Sequence, residues 1–512
     1  MRHTVWLHRK GERFRLRVVL IHPRTIDIPQ PPLGLLYIGA VLEKEGHDVR
    51  IFDPWPNDDR FLERVGIFRP DLVGLSLLTP QYSRALSIVR TLKGTLPEAK
   101  YCAGGVHTTA LPVQTLREFD LDFVIFGEGE LTMKEVCERL EAGRDLNNVK
   151  GVGFKNDQGE VVVNQPRELI RNLDELPFPA RHLLDFEWYL IPPGPIRGFF
   201  LRKSAVVMAS RGCTAGCIYC GSHLIFGRKV RYRSVGNLIA EITHLIEDYA
   251  IDGLWFTDDE LTVNNRWVMD FCRELKTQGI SLKWGCQSRV DTVSEELLLE
   301  MKRAGCVQLD YGVESGSERV LKTLKKNITP EEVRAAFAMT KRLGLRAMAS
   351  FMIGNPGETY QDIKKTLELA SEISADFTRF FYTTPYPGTE LYDMAKRERW
   401  IDPDLRFSEL WSVRQAEYPV MTAGFTRVEL ARIRARLQNK FLLRNYSSYA
   451  KRPSFTLRFL SALLQHPRAL LQGVVRSLRT RRLDDAAESA LWQYRVKKFG
   501  DYQRERGKNA DI

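Results

Sequence analysis

The chain contains no uninterrupted apolar run approaching 18 residues, so no segment is expected to span a bilayer. Its start, MRHTVWLHRKGERFRLR, lacks an apolar core of signal-peptide length, which places the protein in the cytoplasm as an expectation. Cysteine is scarce: eight in 512 residues, without a paired framework, fit a reducing compartment and argue against disulfides. Acid nearly vanishes between Arg427 and Arg482, where 14 Lys or Arg face Glu429 alone. That local surplus of +13 exceeds the +12 of the whole chain, so the remainder is close to neutral and any basic function sits near the C-terminus.

What is present reads as ordinary globular protein, 44% hydrophobic and 27% charged. The length suggests about three domains at roughly 150 residues each. From Arg17, short β-branched runs alternate with longer amphipathic ones: RVVLIHP, LGLLYIGAVLEKEGH, DVRIFD, LVGLSLLT, YSRALSIVRTLKG, AKYCAGG, FVIFGEGE, LTMKEVCERLEAG. This predicts a doubly wound, Rossmann-like (flavodoxin-like) α/β domain of about five parallel strands over residues 15–146. Its ligand belongs at the carboxyl ends of the strands, where GGVHTT (104–109) and GEGE (127–130) fall. A hairpin, VKGVGFKNDQGEVVVN, and a proline-studded linker occupy 147–198. A second alternation over 199–400 places strands at SAVVMAS, GLWFTDD, LKWGCQS, CVQLDYGVES, RAMASFMIGN and FTRFFYTTPYP, a partial (β/α)6 barrel. Residues 401–512 read as a helical, basic C-terminal domain without strand alternation or repeats.

The stretch RGCTAGCIYCGSH puts Cys213, Cys217, Cys220 and His223 within eleven positions. Soft thiolates suit an iron-sulfur cluster, and with His223 the same donors suit a closed zinc site; buried thiols are the third reading. Three features bear on the choice. The stretch directly follows a strand that opens a barrel; Tyr219 sets an aromatic ring beside the loop; and polar residues recur at later strand ends. These are Thr257, Asp258 and Asp259, then Ser288 and Arg289, then Glu314, then Asn355 and Glu358. Singly, Asp258 or Glu314 reads equally well as a solvated strand end or an ion pair; recurrence at successive ends favours a site.

Taken with TDDELT, GVESGSERVL, FMIGNPGET and TPYPGTELY, the cysteine spacing resembles the radical S-adenosylmethionine (SAM) superfamily, specifically members with an N-terminal cobalamin-binding domain, over roughly residues 15–400. The resemblance implies an enzyme with a 4Fe-4S cluster on Cys213, Cys217 and Cys220, whose fourth iron chelates the amino and carboxylate groups of SAM. One electron, from a donor such as flavodoxin or ferredoxin, would then cleave SAM to methionine and a 5′-deoxyadenosyl radical. It further implies SAM contacts at Tyr219, with Thr257, Asp258 and Asp259 at the amino group, Ser288, Arg289 and Glu314 at ribose and carboxylate, and Gly354 to Glu358 at adenine. His223 is then a bystander.

For the N-terminal domain the resemblance implies cobalamin contacts at Gly104, Gly105, His107, Thr108, Gly127 and Glu128. The D-x-H-x-x-G loop of mutase-type domains is missing its histidine: HPRTIDIPQPPLG has Asp27 but no histidine two residues on. Either cobalamin binds without a ligand from that loop, as the resemblance permits, or the domain has lost it and only shapes the cavity; PPLGLLYIGAVL, GGVHTTALP and FGEGE match the family's pattern and favour binding. His22 and His107 read first as hydrogen-bonding loop residues. Cys102, Cys137, Cys272, Cys286 and Cys306 are scattered among apolar neighbours and read as core.

The tail segments FTLRFLSALL and PRALLQGVVRSLRT interleave apolar residues with arginine, which suits peripheral contact of 427–482 with an anionic membrane at its inner face, or a helical cap on the barrel. Nucleic acid ranks last among its partners, because no recognition motif is present. A membrane contact would favour a lipid-like substrate under the apolar connector WYLIPPGPIRGFF (188–200). The reaction expected is methylation of an unactivated carbon of a small or lipid-like molecule. Radical cyclisation or rearrangement is the alternative within enzymes, and a zinc-braced nucleic-acid-binding protein the alternative outside them.

Overall fold

The computed structural model describes residues 15–25, 30–55, 59–156, 158–191, 196, 201, 203–401, 407, 424–442 and 444–445. They form two compact units: residues 15–25, 32–171 and 175–184 make the first, and the described residues from Asp185 onward, with 30–31 and 172–174, the second.

The first unit is one sheet of seven strands: β1 (Arg17–Ile21), β2 (Asp48–Phe52), β3 (Leu72–Ser76), β4 (Lys100–Gly104), β5 (Phe123–Ile125), β6 (Val152–Lys155) and β7 (Val161–Val163), in the order β2-β1-β3-β4-β5-β6-β7. The first five are parallel, and β6 and β7 add an antiparallel hairpin to the same sheet. Parallel strands are covered on both faces, which is why RVVLI and LVGLS are almost continuously buried. The covering helices are α1 (Leu33–Lys44), α2 (Phe61–Phe68), α3 (Tyr82–Thr95), α4 (Val106–Ala110), α5 (Pro112–Glu118) and α6 (Glu130–Glu141). Because β1 pairs with β2 on one side and β3 on the other, the chain winds away in both directions and leaves a crevice at the carboxyl ends between β1 and β3.

The second unit carries β8 (Ser204–Val207), a short antiparallel pair β9 (Ser210–Arg211) and β10 (Arg231–Tyr232), then β11 (Gly253–Phe256), β12 (Lys283–Ser288), β13 (Cys306–Glu314), β14 (Arg346–Ile353) and β15 (Phe377–Tyr382). Six of these form a parallel sheet, β8-β11-β12-β13-β14-β15, in which β8 and β15 are edges; the barrel is unclosed. Its helices are α7 (Glu187–Leu190), α8 (Ser222–Phe226), α9 (Val235–Tyr249), α10 (Asn265–Thr277), α11 (Glu295–Arg303), α12 (Glu318–Thr323), α13 (Pro330–Arg342), α14 (Tyr360–Ile373), α15 (Glu390–Arg397) and α16 (Arg427–Lys440). Their starts are written in the sequence. Thr329 and Glu332, Thr359 and Asp362, and Thr426 and Glu429 close reciprocal capping boxes that satisfy otherwise orphaned N–H groups. All six strands expected for the barrel are present.

The open edge at β15 is covered by side chains. Asn445 accepts from Thr378 N (2.8 Å) and donates to Thr378 O (2.9 Å). Gln438 accepts from Phe380 N and donates to Thr378 O (both 3.3 Å), and Arg434 donates to Phe380 O (2.7 Å). The outward backbone groups of two edge residues are thus paired without another strand. This corrects the membrane reading for the described start of the basic segment: Leu430, Arg434, Leu437 and Gln438 are buried on the barrel. Residues 446–482, most of the connector 192–200, and Asp27 lie outside the described residues. Among the described residues no helix is long and apolar enough to cross a membrane.

The segment entering the cysteine loop is braced by a buried ion pair. Arg233 bonds Glu241 and also donates to Met208 O (3.2 Å) just past β8, while the Trp267 indole donates to Arg233 O (2.8 Å). Their side chains are 5% and 0% exposed. Removing one partner strands a buried charge, so Glu241→Ala is expected to cost about 3 kcal/mol. Urea denaturation checks this; an unchanged midpoint would contradict it.

Candidate active site

At the carboxyl ends of the first sheet, backbone and small hydroxyls dominate. Gly105 has φ +97°, and a Cβ there would lie 2.9 Å from Leu77 N and O, so only glycine lets the β4–α4 turn pass so near β3. A Cβ on Gly127 would meet nothing within 4 Å, so this loop borders open space. The two loops are joined by a residue the motif reading passed over: the Thr109 hydroxyl donates to Gly105 O (2.9 Å) and accepts from Gly127 N (3.1 Å). Thr108 is turned inward, donating to Gly104 O (3.2 Å). Glu128 is buried and accepts from Ile170 N (2.7 Å).

The histidines here hold structure. His107 is 1% exposed, its Nδ1 3.0 Å from the Thr79 hydroxyl and its ring edge-on to Tyr82. Burial pulls its pKa down to about 4, so the ring is neutral near pH 7. His22 has both nitrogens engaged: Nδ1 with Asp53 (2.9 Å) and Nε2 with the Gln81 amide (2.7 Å). Since Gln81 Oε1 already accepts from Leu78 N, its NH2 faces His22 and the imidazole proton belongs on Nδ1, toward Asp53. Arg24 completes the group, paired with Asp53 and lying over the Trp55 ring. These partners come from the ends of different strands, and no local motif announces them.

In the second unit Cys213, Cys217 and Cys220 share the loop after β9, all as free thiols. The loop is fastened at its middle: Ile218 N donates to Leu324 O (3.1 Å), and Leu391 N to Ile218 O (2.9 Å). Cys213 Sγ lies 3.4 Å from Glu260 Oε2, and Glu260 Oε1 lies 3.8 Å from Arg289. Glu260, the fourth residue of TDDE and 1% exposed, is thus the acid that meets Cys213. Its neighbours turn elsewhere. Asp258 accepts from Ala209 N (3.1 Å) and the Ser210 hydroxyl (2.5 Å), and burial pushes its pKa up to about 6. Asp259 bonds Ser222, and Thr257 donates to Val207 O (3.1 Å).

Tyr219 reaches from the loop to Glu314, its hydroxyl donating to Oε1 (3.1 Å), and Lys326 donates to the same oxygen (3.0 Å). Glu314 ends β13 at φ +68°, a conformation a carboxylate residue adopts only when its surroundings hold it there. Lys326, buried and not foreseen, also lends its carbonyl to Arg289 (3.0 Å), which is clamped in turn by Asp291. Ser288 bonds Thr262 (2.6 Å). At the end of β14, Glu358 folds the turn back on itself, accepting from Gly354 N (2.6 Å), Asn355 N (3.2 Å) and Asn355 Nδ2 (2.9 Å). The Thr383 hydroxyl, just past β15, donates to Asn355 Oδ1 (2.7 Å).

Among the described residues no three His, Cys, Asp or Glu side chains already converge on one ion position. The donor set nonetheless fits a thiolate-held cluster: three unpaired thiols on one fastened loop, beside a buried acid, a clamped guanidinium and a buried lysine. The Gly127 edge, which borders open space, fits a large group approached by backbone. Cys102, Cys137, Cys272, Cys286 and Cys306 are buried in the core.

A fastened thiol loop at the mouth of an unclosed parallel barrel, accompanied by a Rossmann-like domain with glycine-lined strand ends, describes a cofactor-dependent enzyme. Residues 24–137 match the B12 binding domain family and residues 207–370 the Radical SAM superfamily. The chain is 33% identical over 475 residues to an uncharacterised methyltransferase of Pyrococcus horikoshii, covering 90% of this chain and 98% of the relative. It is 28% identical over 393 residues to the anaerobic magnesium-protoporphyrin IX monomethyl ester cyclase of Rubrivivax gelatinosus, covering 74% and 69%. Its fold matches the cobalamin-dependent S-adenosylmethionine radical enzyme OxsB, solved with aqua-cobalamin and S-adenosylmethionine, with a TM-score of 0.70, 17% identity and coverage of 97% and 81%. The protein is a radical SAM superfamily enzyme with an N-terminal B12-binding domain, related to methyltransferases. This membership sets aside the reading of the cysteines and His223 as a zinc brace for nucleic acid.

Burial pushes the Glu358 pKa up to about 7 from 4.5, against three donors that pull it down. A carboxyl whose proton is held more tightly in the folded state contributes stability that is full below the unfolded value and fades as pH rises through the folded one. The wild type is therefore expected to lose thermal midpoint relative to Glu358→Gln between about pH 5 and pH 8. Parallel midpoint curves for the two proteins would refute the assignment.

Proposed function

We propose that this enzyme methylates an unactivated carbon of a small or lipid-like biosynthetic substrate. Support comes chiefly from the fastened loop of Cys213, Cys217 and Cys220 beside Glu260, Arg289 and the Tyr219–Glu314–Lys326 group, in a chain related along nearly its whole length to a methyltransferase. When bound, the cluster, SAM and cobalamin supply radical and methyl-transfer chemistry, and the protein supplies position and exclusion of water.

In this reading the three cysteines hold the cluster. Thr257, Asp258 and Asp259 shape the strand end for the SAM amino group, with Glu260 the acid nearest the loop. Ser288, Arg289 and Glu314 serve ribose and carboxylate, and Tyr219 and Lys326 keep the Glu314 carboxylate turned inward. Gly354 to Glu358 offer backbone to the adenine. Gly104, Gly105, Thr108 and Gly127 edge the corrinoid, His107 and Glu128 fix those loops from within, and no described histidine of the first unit needs to meet cobalt. A one-electron donor of the flavodoxin or ferredoxin type is the redox partner in this reading. The relation to a cyclase supports a second reading, radical ring closure without methyl transfer.

Anaerobically purified enzyme is expected to show broad iron-sulfur absorption and a corrinoid band. Replacing Cys213, Cys217 and Cys220 together by alanine should abolish the first and spare the second. With SAM labelled in its methyl group, label should appear in the product. Deoxyadenosine formation without methylated product would favour the cyclase reading.

A further inference from the structure

The radical SAM match ends at residue 370, before β15 and α16, yet the structure ties both to the turn that holds Gly354. Arg434 and Gln438, one turn apart on α16, and Asn445 beyond its end bond the four outward backbone groups of Thr378 and Phe380. Further along, the Arg434 guanidinium lies 4.7 Å from the Tyr382 ring centroid, at the last residue of β15. The next residue, Thr383, extends the ladder to Ile353 O (2.9 Å) and bonds Asn355, which bonds Glu358.

A second contact is direct. Gly354 sits at φ +78°, and a Cβ there would fall 2.6 Å from Leu430 Cδ2, so this leucine of α16, itself 1% exposed, packs on the bare backbone of the turn. Beside it, Phe425 meets Tyr360 edge-on at 4.6 Å. Both routes begin on one helix and end on one turn.

We propose that α16 is the outer wall of the SAM site: it stands in for the strand missing beyond β15 and holds the adenine-facing turn through Leu430, so SAM affinity depends on a segment beyond the radical SAM core. This rests on the assignment of Gly354 to Glu358 to SAM. Leu430 is a positioning residue and touches no cofactor in this account.

Hydrogen exchange on the cluster- and cobalamin-loaded enzyme tests it, with Leu430→Ala and, as a control two turns along the same helix, Leu437→Ala. SAM is expected to slow exchange in both α16 and β15 of the wild type. Leu430→Ala should weaken SAM binding about tenfold with iron and cobalamin content unchanged, whereas Leu437→Ala lowers the thermal midpoint and leaves SAM affinity within about twofold. Equal weakening by both variants, or unchanged exchange in α16 while the wild type binds SAM, overturns the proposal. If Leu430→Ala does not fold, the wild-type exchange pattern decides alone. A wild type that binds no SAM overturns the site assignment as well, whereas wild-type binding matched by Leu430→Ala overturns only the role of α16.

Discussion

Parallel strand direction is the constraint on which this molecule depends. Apart from the β6–β7 hairpin and the short β9–β10 pair, the strands of each unit run the same way, so each of these parallel strands delivers its last residue and following loop to one end of its sheet. The backbone there leaves the ladder with unspent N–H and C=O groups, and polar side chains collect to meet them. Asp258 on Ala209, Thr257 on Val207, Glu358 on Gly354 and Thr109 between two glycine loops are all answers to that demand. Side chains that face the cysteine loop and side chains that cap the backbone therefore draw on the same residue types at the same places: Asp258 accepts from Ala209 N, while Glu260 two residues on reaches Cys213.

Much of the fold was legible for the same reason. Parallel strands buried on both faces favour near-continuous apolar runs, and these mark strands such as β1, β3, β8 and β11. The cysteine loop was legible because three thiols at close spacing have few structural uses. What could not be read was how strand ends meet. His22 and Asp53 are 31 positions apart, and Tyr219 and Glu314 are 95 apart. Lys326 follows α12 in a lysine-rich stretch where nothing separates a buried ammonium from a solvated one. Glu260 was hidden by its neighbours, since three acids in a row do not say which one faces inward.

The C-terminal block shows a different limit. Basic composition between Arg427 and Arg482 invited an electrostatic account, but Arg434 is buried for its geometry, a planar donor fitting a carbonyl and an aromatic face. Gln438 and Asn445 carry no charge or periodicity that would flag them, although each supplies both a donor and an acceptor, the combination a bare strand edge requires.

That choice of partner has a consequence for how the protein keeps to itself. A strand laid on β15 would present a new edge of its own, and another chain could continue the sheet by the same backbone pairing. Amide and guanidinium side chains terminate the pattern instead, because the helix that carries them spends its backbone hydrogen bonds internally and offers nothing to extend. At Thr378 and Phe380 the barrel therefore ends in a surface that offers no backbone for a further strand to copy.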